Sequence, residues 1–261
     1  MNIALETPTE LLQVVQPLAD FDWILAHLVL EDASYAQWYR ESKRLKVLDN
    51  SVNELLEPLD LVEMVKAANV VIPDYVVAPD FLGDQVKTLN ALNLAADAFG
   101  KEVILPVLQG STLEECQASA KAIKAWGYRR ISVPYDILSD RRNFSLNQMG
   151  ENRNTLIANL GVNFSWIHLL GFTTPKELLS YKERLNILSQ DTGKPIMWGL
   201  RKDMMGEGED YLYQEPQGDP TLGKMDLEEE ITHRYLWCVY RNLAYYRKVA
   251  HDVGGPLRPG I

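Results

Sequence analysis

The sequence predicts an α/β protein that forms one (β/α)8 barrel, the TIM-barrel fold, as a single domain over residues 1–261. Near-continuous apolar runs alternate with amphipathic stretches, as is typical of buried parallel strands joined by helices. Polar residues follow several of these runs, at the point where a strand would meet solvent. The length also fits, since ~250 residues is typical of one such barrel. We therefore expect these polar residues to meet on the face formed by the carboxyl ends of the strands, which carries catalysis in this fold.

Eight apolar runs are the predicted strands, because near-continuous apolar strands belong to sheets that are buried on both faces. They are FDWILAHLVL (21–30), KVLDN (46–50), VVIPDYVVAP (70–79), EVILPVLQ (102–109), RISVPYD (130–136), WIHLLGF (166–172), NILSQ (186–190) and PIMWGL (195–200).

Capping residues predict the boundaries of the crossover helices. A Thr side chain can accept a hydrogen bond from the backbone of a Glu three residues later, and glycine often follows the last turn of a helix. The predicted caps are Thr112 with Glu115, and Thr174 with Glu177 after Pro175 at the first helical position; the predicted ends are Gly100 and Gly127. The helix that ends at Gly100 is expected to bury Val86, Leu89, Leu92 and Ala96.

The last quarter of the chain departs from this alternation. Residues 201–225 are rich in glycine, proline and charge and predict a long irregular loop. A helix follows over 227–253, with an apolar stripe at helical spacing formed by Ile231, Tyr235, Val239, Leu243 and Tyr246. We expect this stripe to pack against the barrel, although aromatic residues on this helix could instead stack on nucleobases.

The composition limits which cofactors and which cellular compartment are expected for this protein. The two cysteines, Cys116 and Cys238, and the four histidines lack the spacing of a zinc site, so we expect no bound metal and no cofactor. No basic segment precedes an apolar one at the amino terminus, and no apolar run approaches the ~18 residues of a membrane span. A cytoplasmic protein without a membrane partner is expected.

The net charge of −10 argues against general attraction to nucleic acid, because phosphate contacts drive non-specific binding. A local basic rim is still compatible with this charge. The candidates, which follow predicted strands, are Arg141, Arg142, Arg201 and Lys202. The alternative interpretation is ordinary solvated surface charge.

Four polar residues are the candidate functional groups: Asp49, Asp80, Gln109 and Asp191. Each comes at or just after the end of a predicted strand. Carboxylates can act as nucleophiles or as acids and bases, and a carboxylate or an amide can recognise the edge of a purine. The alternative is that they cap helices or form turns, as Asp residues commonly do.

Several segments together resemble the tRNA-guanine transglycosylase superfamily, enzymes on a (β/α)8 barrel that exchange guanine for a 7-deazaguanine. LDNSVNE resembles the segment whose aspartate handles the proton of the base, and YVVAPDF the segment whose aspartate recognises the purine. VLQGSTLEECQASAKAIKAWGY and WIHLLGFTTPKELL resemble two further strand ends with their helices. The resemblance implies catalysis by Asp49 and by a nucleophilic Asp191, and substrate binding by Asp80, Gln109, Gly110 and Gly171.

The departures from that family are also informative. Val133 and Pro134 stand where the family usually has a Gly-Gly pair, and the zinc subdomain is missing. The short chain most resembles the phage proteins that insert 7-deazaguanines into DNA. The resemblance therefore implies DNA as the favoured polymer over tRNA, a 7-deazaguanine base as the second substrate, and host cytoplasm if the protein is phage-encoded. An oligomer or a partner protein that supplies affinity for nucleic acid stays open.

Two other functional classes remain. A non-catalytic nucleobase-binding barrel would keep Asp80 and Gln109 and would need no nucleophile. A barrel lyase or aldolase acting through a Schiff base is compatible with the fold alone, but no predicted strand ends in a lysine.

Overall fold

The computed structural model describes residues 1–138, 146–171, 173–201, 205 and 233–253. Eight parallel strands form the inner wall of a barrel, which confirms the predicted (β/α)8 fold. The strands are β1 (Asn2–Leu5), β2 (Phe21–Leu25), β3 (Lys46–Asp49), β4 (Tyr75–Val77), β5 (Ile104–Leu105), β6 (Arg130–Pro134), β7 (Trp166–Leu170) and β8 (Ile187–Thr192).

Hydrogen bonds close the ring of strands. The sheet runs in the order β5-β4-β3-β2-β1-β8-β7-β6, so that β1 pairs with both β2 and β8. Between the two ends of this order, the backbone N–H of Leu108 donates to the carbonyl of Ser132, and the N–H of Ser132 donates to that of Pro106. All carboxyl ends therefore open on one face.

Helices surround the strands. They are α1 (Leu12–Val15), α2 (Ala26–Glu31), α3 (Ala33–Glu41), α4 (Val52–Leu55), α5 (Leu61–Val71), α6 (Gln85–Phe99), α7 (Leu113–Ala125), α8 (Leu146–Ala158), α9 (Pro175–Ser180), α10 (Lys194–Leu200) and α11 (His233–Val253). Short 3-10 turns cover Thr9–Leu11, Gln16–Leu18 and Lys101–Val103. Within the ranges given above, no helix has the length and apolar character that a membrane span requires.

The prediction of the eighth strand is wrong. Residues 195–200 belong to α10, in which Pro195 occupies the first turn, and the eighth strand of the barrel is instead β1 at the amino terminus. The apolar residues of this segment pack α10 against α11. The two helices are so close that a Cβ on Gly199 would lie 2.5 Å from the Cα of Val239 in α11. Four residues of β1 are too few to show a strand period, which is why the pattern missed them.

The other predicted runs contain strands that are shorter or shifted. Residues 26–30 lie in α2, and residues 70–71 end α5. The run 186–190 extends further than expected, so that Asp191 lies inside β8 rather than after it. Apolar residues at strand ends can equally begin or finish a neighbouring helix, and periodicity does not separate the two cases.

The helix signals are largely confirmed. Thr112 and Thr174 cap α7 and α9 by accepting from the backbones of Glu115 and Glu177, and α6 stops at Gly100. The two Glu side chains do not complete the predicted capping boxes. Glu115 accepts from Ser111 N, and Glu177 forms an ion pair with Arg153. On α6, Leu92 is buried but Val86 is 67% exposed, so that part of the predicted apolar face is wrong.

The carboxyl-terminal helix packs on the barrel as expected. Val239, Leu243 and Tyr246 are buried, whereas Trp237 is 58% exposed. Ile231, the side chain of Tyr235 and the start of the predicted helix at 227–232 lie outside the described residues, as does most of the predicted loop 201–225.

Candidate active site

A pocket of about 700 Å³, including its open part, lies at the carboxyl ends of the strands. The four candidate residues from the sequence, Asp49, Asp80, Gln109 and Asp191, all line it. The other lining residues are Glu6, Trp23, Val52, Asn53, Glu54, Leu82, Pro134, Tyr135, Asp136, Leu170, Gly171, Gly193 and Lys194. The predicted convergence on one face is therefore confirmed.

Asp80 and Gln109 form one hydrogen-bonded unit. The Gln109 Nε2 amide donates to Asp80 Oδ2 at 2.6 Å, and Gln109 Oε1 accepts from Gly83 N at 3.0 Å. Asn50 Nδ2 donates to Asp80 Oδ1 at 2.7 Å and to the carbonyl of Ala78. Each Asp80 oxygen thus has an amide partner. Asn50 was not among the predicted site residues, although it directly follows Asp49.

Asp49 is the last residue of β3 and is buried. Its Oδ2 accepts from Ser51 N at 2.8 Å, a contact made because Ser51 adopts the left-handed region with φ 61°. Burial raises the pKa of Asp49 well above the usual range of aspartate, and the charges of Glu54 and Asp191 raise it further, against the opposing effect of Ser51 N–H. A raised pKa favours the protonated form of a carboxyl group, the form that can donate a proton.

Asp191 is surrounded by hydrogen-bond donors. His168 Nε2 lies 2.8 Å from Asp191 Oδ1, and the backbone N–H of Gly171 donates to Oδ1 and Oδ2 at 2.9 and 3.1 Å. Gly171 has φ 75°, and a Cβ there would lie 2.6 Å from Cδ1 of Tyr135. Only glycine can therefore present this N–H to Asp191. These contacts fix the orientation of Asp191, and an aspartate carboxylate can act as a nucleophile.

Glu6 is the main site residue that the sequence did not predict. It follows β1, is partly exposed, and its carboxyl group is hydrogen-bonded to that of Asp191. Burial raises the pKa of Glu6 well above its usual range, and the charge of Asp191 adds to this. A raised pKa favours the protonated form of Glu6. The rule that found the other candidates, a polar residue after an apolar run, would have found Glu6 if β1 had been recognised.

A chain of hydrogen bonds runs from Asp191 into the barrel. His168 Nδ1 lies 2.9 Å from Ser189 Oγ. The same hydroxyl oxygen accepts a hydrogen bond from Trp166 Nε1 at 2.6 Å. The indole of Trp23 stacks on the imidazole of His168, with ring centroids 4.6 Å apart. The Ser-His-Asp order resembles a hydrolase triad, but Ser189 has no exposed surface and cannot reach a substrate.

Gly110 and Arg201, two of the predicted site residues, are not among the residues that line the pocket. Gly110 packs against α7, where a Cβ would lie 2.9 Å from Cys116 N. Arg201 is exposed at the end of α10, roughly 10 Å along the helix from the pocket residue Lys194. Arg141, Arg142 and Lys202 lie outside the described residues.

Two further expectations concern the Gly-Gly position and metals. Pro134 lines the pocket and Val133 is buried in β6, so a side chain replaces the backbone surface that glycines would offer there. Cys116 and Cys238 are free and buried. Over the described part of the chain, no three His, Cys, Asp or Glu side chains are grouped so that they could hold a metal ion.

Comparison with known proteins does not identify a family. No family model matches the chain, and no curated protein is significantly similar to it.

Proposed function

We propose that this protein is a pentosyltransferase that exchanges guanine for a 7-deazaguanine base in nucleic acid, with DNA favoured over tRNA. One observation carries the proposal: Asp191, which is surrounded by donors, shares a pocket with Asp49, a carboxyl group whose pKa is raised by burial, and with the Asp80–Gln109 unit. The resemblance of the strand-end segments to the tRNA-guanine transglycosylase superfamily supports the same reaction.

The first displacement would use Asp191 as the nucleophile. A lone pair of the Asp191 carboxylate forms a bond to C1′, and the bond between C1′ and N9 of guanine breaks with its electron pair going to the base. Asp49 donates its proton to the departing guanine, which leaves as the neutral base. The raised pKa of Asp49 supports this role, because a general acid must hold its proton at the working pH.

The second displacement reverses these transfers. N9 of the incoming 7-deazaguanine attacks C1′, the ester bond to Asp191 breaks, and the electron pair returns to the carboxylate. Asp49, now ionised, accepts the proton from N9. Two inversions at C1′ retain the configuration of the sugar, as in retaining glycosidases.

Base recognition would fall to Asp80 and Gln109. Guanine and 7-deazaguanines offer N–H donors on the N1 and exocyclic amine edge, and a carboxylate such as Asp80 or an amide such as Gln109 is the type of group that recognises this edge. Both residues line the pocket at the carboxyl ends of the strands. A base in a duplex would have to be flipped out to enter it.

The phosphates would be held outside this pocket. Besides Asp49 and Asp191, four of its lining residues have carboxyl groups, namely Glu6, Glu54, Asp80 and Asp136, and such a lining repels a polyanion. We therefore assign phosphate binding to Arg141, Arg142, Arg201 and Lys202, or to a partner subunit.

The decisive experiment is base exchange with radiolabelled guanine. Purified protein is incubated with labelled guanine and, in separate reactions, double-stranded DNA, single-stranded DNA and tRNA, and label in the polymer is counted. Incorporation into DNA is expected. A stable complex with base, without incorporation and without a covalent adduct on Asp191, would favour the non-catalytic nucleobase-binding barrel.

A second candidate is a lyase or aldolase that forms a Schiff base. Lys194 favours it, since this buried lysine comes two residues after the end of β8 and lines the pocket. The Asp80–Gln109–Asn50 network has no assigned role in that reaction, which is why we rank it second. Reduction with borohydride in the presence of small aldehydes and ketones, followed by peptide mapping, would reveal an adduct on Lys194.

A further inference from the structure

His168 lies in the barrel interior and touches Asp191 without lining the pocket. It is fully buried on β7, beside β8, and its partners occupy both ring nitrogens: Ser189 at Nδ1 and Asp191 at Nε2. Stacking on Trp23 and an edge contact with Phe21 hold the plane of the ring. The imidazole therefore has one orientation and cannot reach a substrate.

The hydrogen-bond network assigns the tautomer of His168. Ser189 Oγ accepts from the indole N–H of Trp166, which has no acceptor atom, so the serine hydroxyl is free to donate to His168 Nδ1. Nε2 then carries the proton and donates to Asp191 Oδ1. This direction agrees with the neighbouring Gly171 N–H, which also donates to Oδ1.

We propose that His168 is a positioning residue that holds Asp191 Oδ1 and stabilises the Asp191 carboxylate whenever it is free, so that it favours release of the sugar in the second displacement. This inference rests on the proposed function, since it requires a covalent bond between Asp191 and C1′. Oδ2 is then the oxygen that bonds to C1′, and Oδ1 becomes the carbonyl oxygen of the ester.

The physical reason is a difference in hydrogen-bond strength between the two states of Asp191. A hydrogen bond to an ionised acceptor is roughly twice as strong as one to a neutral acceptor. The His168 N–H therefore stabilises the free carboxylate more than it stabilises the ester. It lowers the population of the covalent intermediate and assists departure of the carboxylate from C1′, where the electron pair of the breaking bond returns to Asp191.

The test compares two variants by the amount of covalent intermediate. His168→Phe keeps a flat ring against Trp23 but removes both nitrogens, whereas His168→Gln keeps a donor amide at a similar reach. Each protein is mixed with a guanine-containing DNA strand and free base, quenched with acid at steady state, and the protein–DNA adduct is quantified. Release is then followed by chasing the adduct with excess unlabelled base.

In His168→Phe we expect about five- to tenfold more adduct at equal occupancy and a correspondingly slower chase, with His168→Gln close to wild type. A role that is merely structural would lower the adduct instead. Unchanged adduct and chase rate in folded His168→Phe would overturn the inference while leaving the proposed function intact. Wild-type protein without any adduct or exchange would overturn both.

Ser189→Ala covers the case in which His168→Phe does not fold. Loss of the serine hydroxyl frees Nδ1 to carry the proton, so the adduct should rise in the same direction by about twofold. Nitrogen-15 NMR of labelled histidine in the wild-type protein gives a readout that needs no substrate. The proton is expected on Nε2, and its presence on Nδ1 alone would contradict the assignment.

Discussion

The carboxyl group of Glu6 is hydrogen-bonded to that of Asp191 across the neighbouring strands β1 and β8. A Cβ on Gly193 would lie 3.0 Å from Glu6 Oε2, so the chain after β8 leaves just enough room for this contact. Glu6, His168 and Gly171 together surround Asp191 with donors. The residue proposed as the nucleophile is thus held by groups from two strands and their ends, β1 and β7.

Replacing the nucleophile should abolish the reaction. In Asp191→Asn we expect no base exchange and no covalent adduct, because an amide is a far poorer nucleophile than a carboxylate. Exchange is measured with labelled guanine, and the adduct by denaturing gel. Asp97→Asn, an exposed position on α6, is the matched control and should retain full activity. If exchange persists in Asp191→Asn, another carboxylate is the nucleophile, with Asp203, outside the described residues, as the next position to test.

Asp80→Asn should weaken base binding before it affects the chemical steps. One acceptor oxygen becomes a donor that faces the donors of the purine, a buried mismatch that costs ~1–3 kcal/mol. The KM for the free base should rise about 5- to 150-fold, with a smaller change in kcat. An equal fall in kcat with unchanged KM would place Asp80 in the chemical step instead.

The same substitution also disturbs the protein, because Asp80 accepts from Asn50 and Gln109. Adding Gln109→Glu to Asp80→Asn gives the new amide an acceptor. The double variant should recover thermal stability relative to Asp80→Asn, which separates the internal mismatch from the loss of base binding. Tm measured by calorimetry without ligand makes this comparison.

Glu6→Gln should stabilise the protein more at alkaline than at acidic pH. The pKa of Glu6 is raised in the folded state, so between its unfolded value of about 4.3 and its folded value the native protein holds a proton that the unfolded chain has released. Stability therefore falls as pH rises through that window. Glutamine can still donate to Asp191 and does not titrate.

We expect the Tm difference between Glu6→Gln and wild type to be largest near pH 8 and to shrink toward pH 4. The gain in the free energy of unfolding should be larger at pH 8 than at pH 4, because at pH 8 the unfolded wild-type chain has released the proton of Glu6. Unfolding in urea at both pH values gives the free energies. A difference that is independent of pH would mean that Glu6 is ionised in the folded protein.

Arg153 should be critical for stability near the site. It is fully buried, pairs with both oxygens of Glu177 at 2.7 and 2.9 Å, and donates to Thr173 and to the carbonyls of Val133 and Leu170. Arg153→Met should cost ~3–5 kcal/mol, because it leaves the Glu177 carboxylate buried without its cation. The double change with Glu177→Leu should be less costly than Arg153→Met alone. Urea unfolding tests this order, and equal free energies for the single variant and wild type would contradict it.

The strand ends of the site could be predicted because they depend on local sequence. Asp49, Asp80, Gln109 and Asp191 follow or finish apolar runs, and parallel strands bring their carboxyl ends together whatever the details of packing. The short β1 and the helical residues 195–200 were assigned wrongly for a related reason: a run of four to six apolar residues has no period that separates a strand from a buried helix.

The sequence by itself determined the barrel, the helix caps at Thr112 and Thr174, and the residue types at the strand ends, since each depends on neighbours a few positions away. Only the tertiary structure decided which carboxyl groups have a raised pKa and which partners orient them. His168, Glu6 and Asn50 reach Asp191 and Asp80 from other strands or the loops that follow them. The pKa of a carboxyl group depends on burial and on charges within a few ångströms, and the folded chain supplies both from residues far apart in sequence.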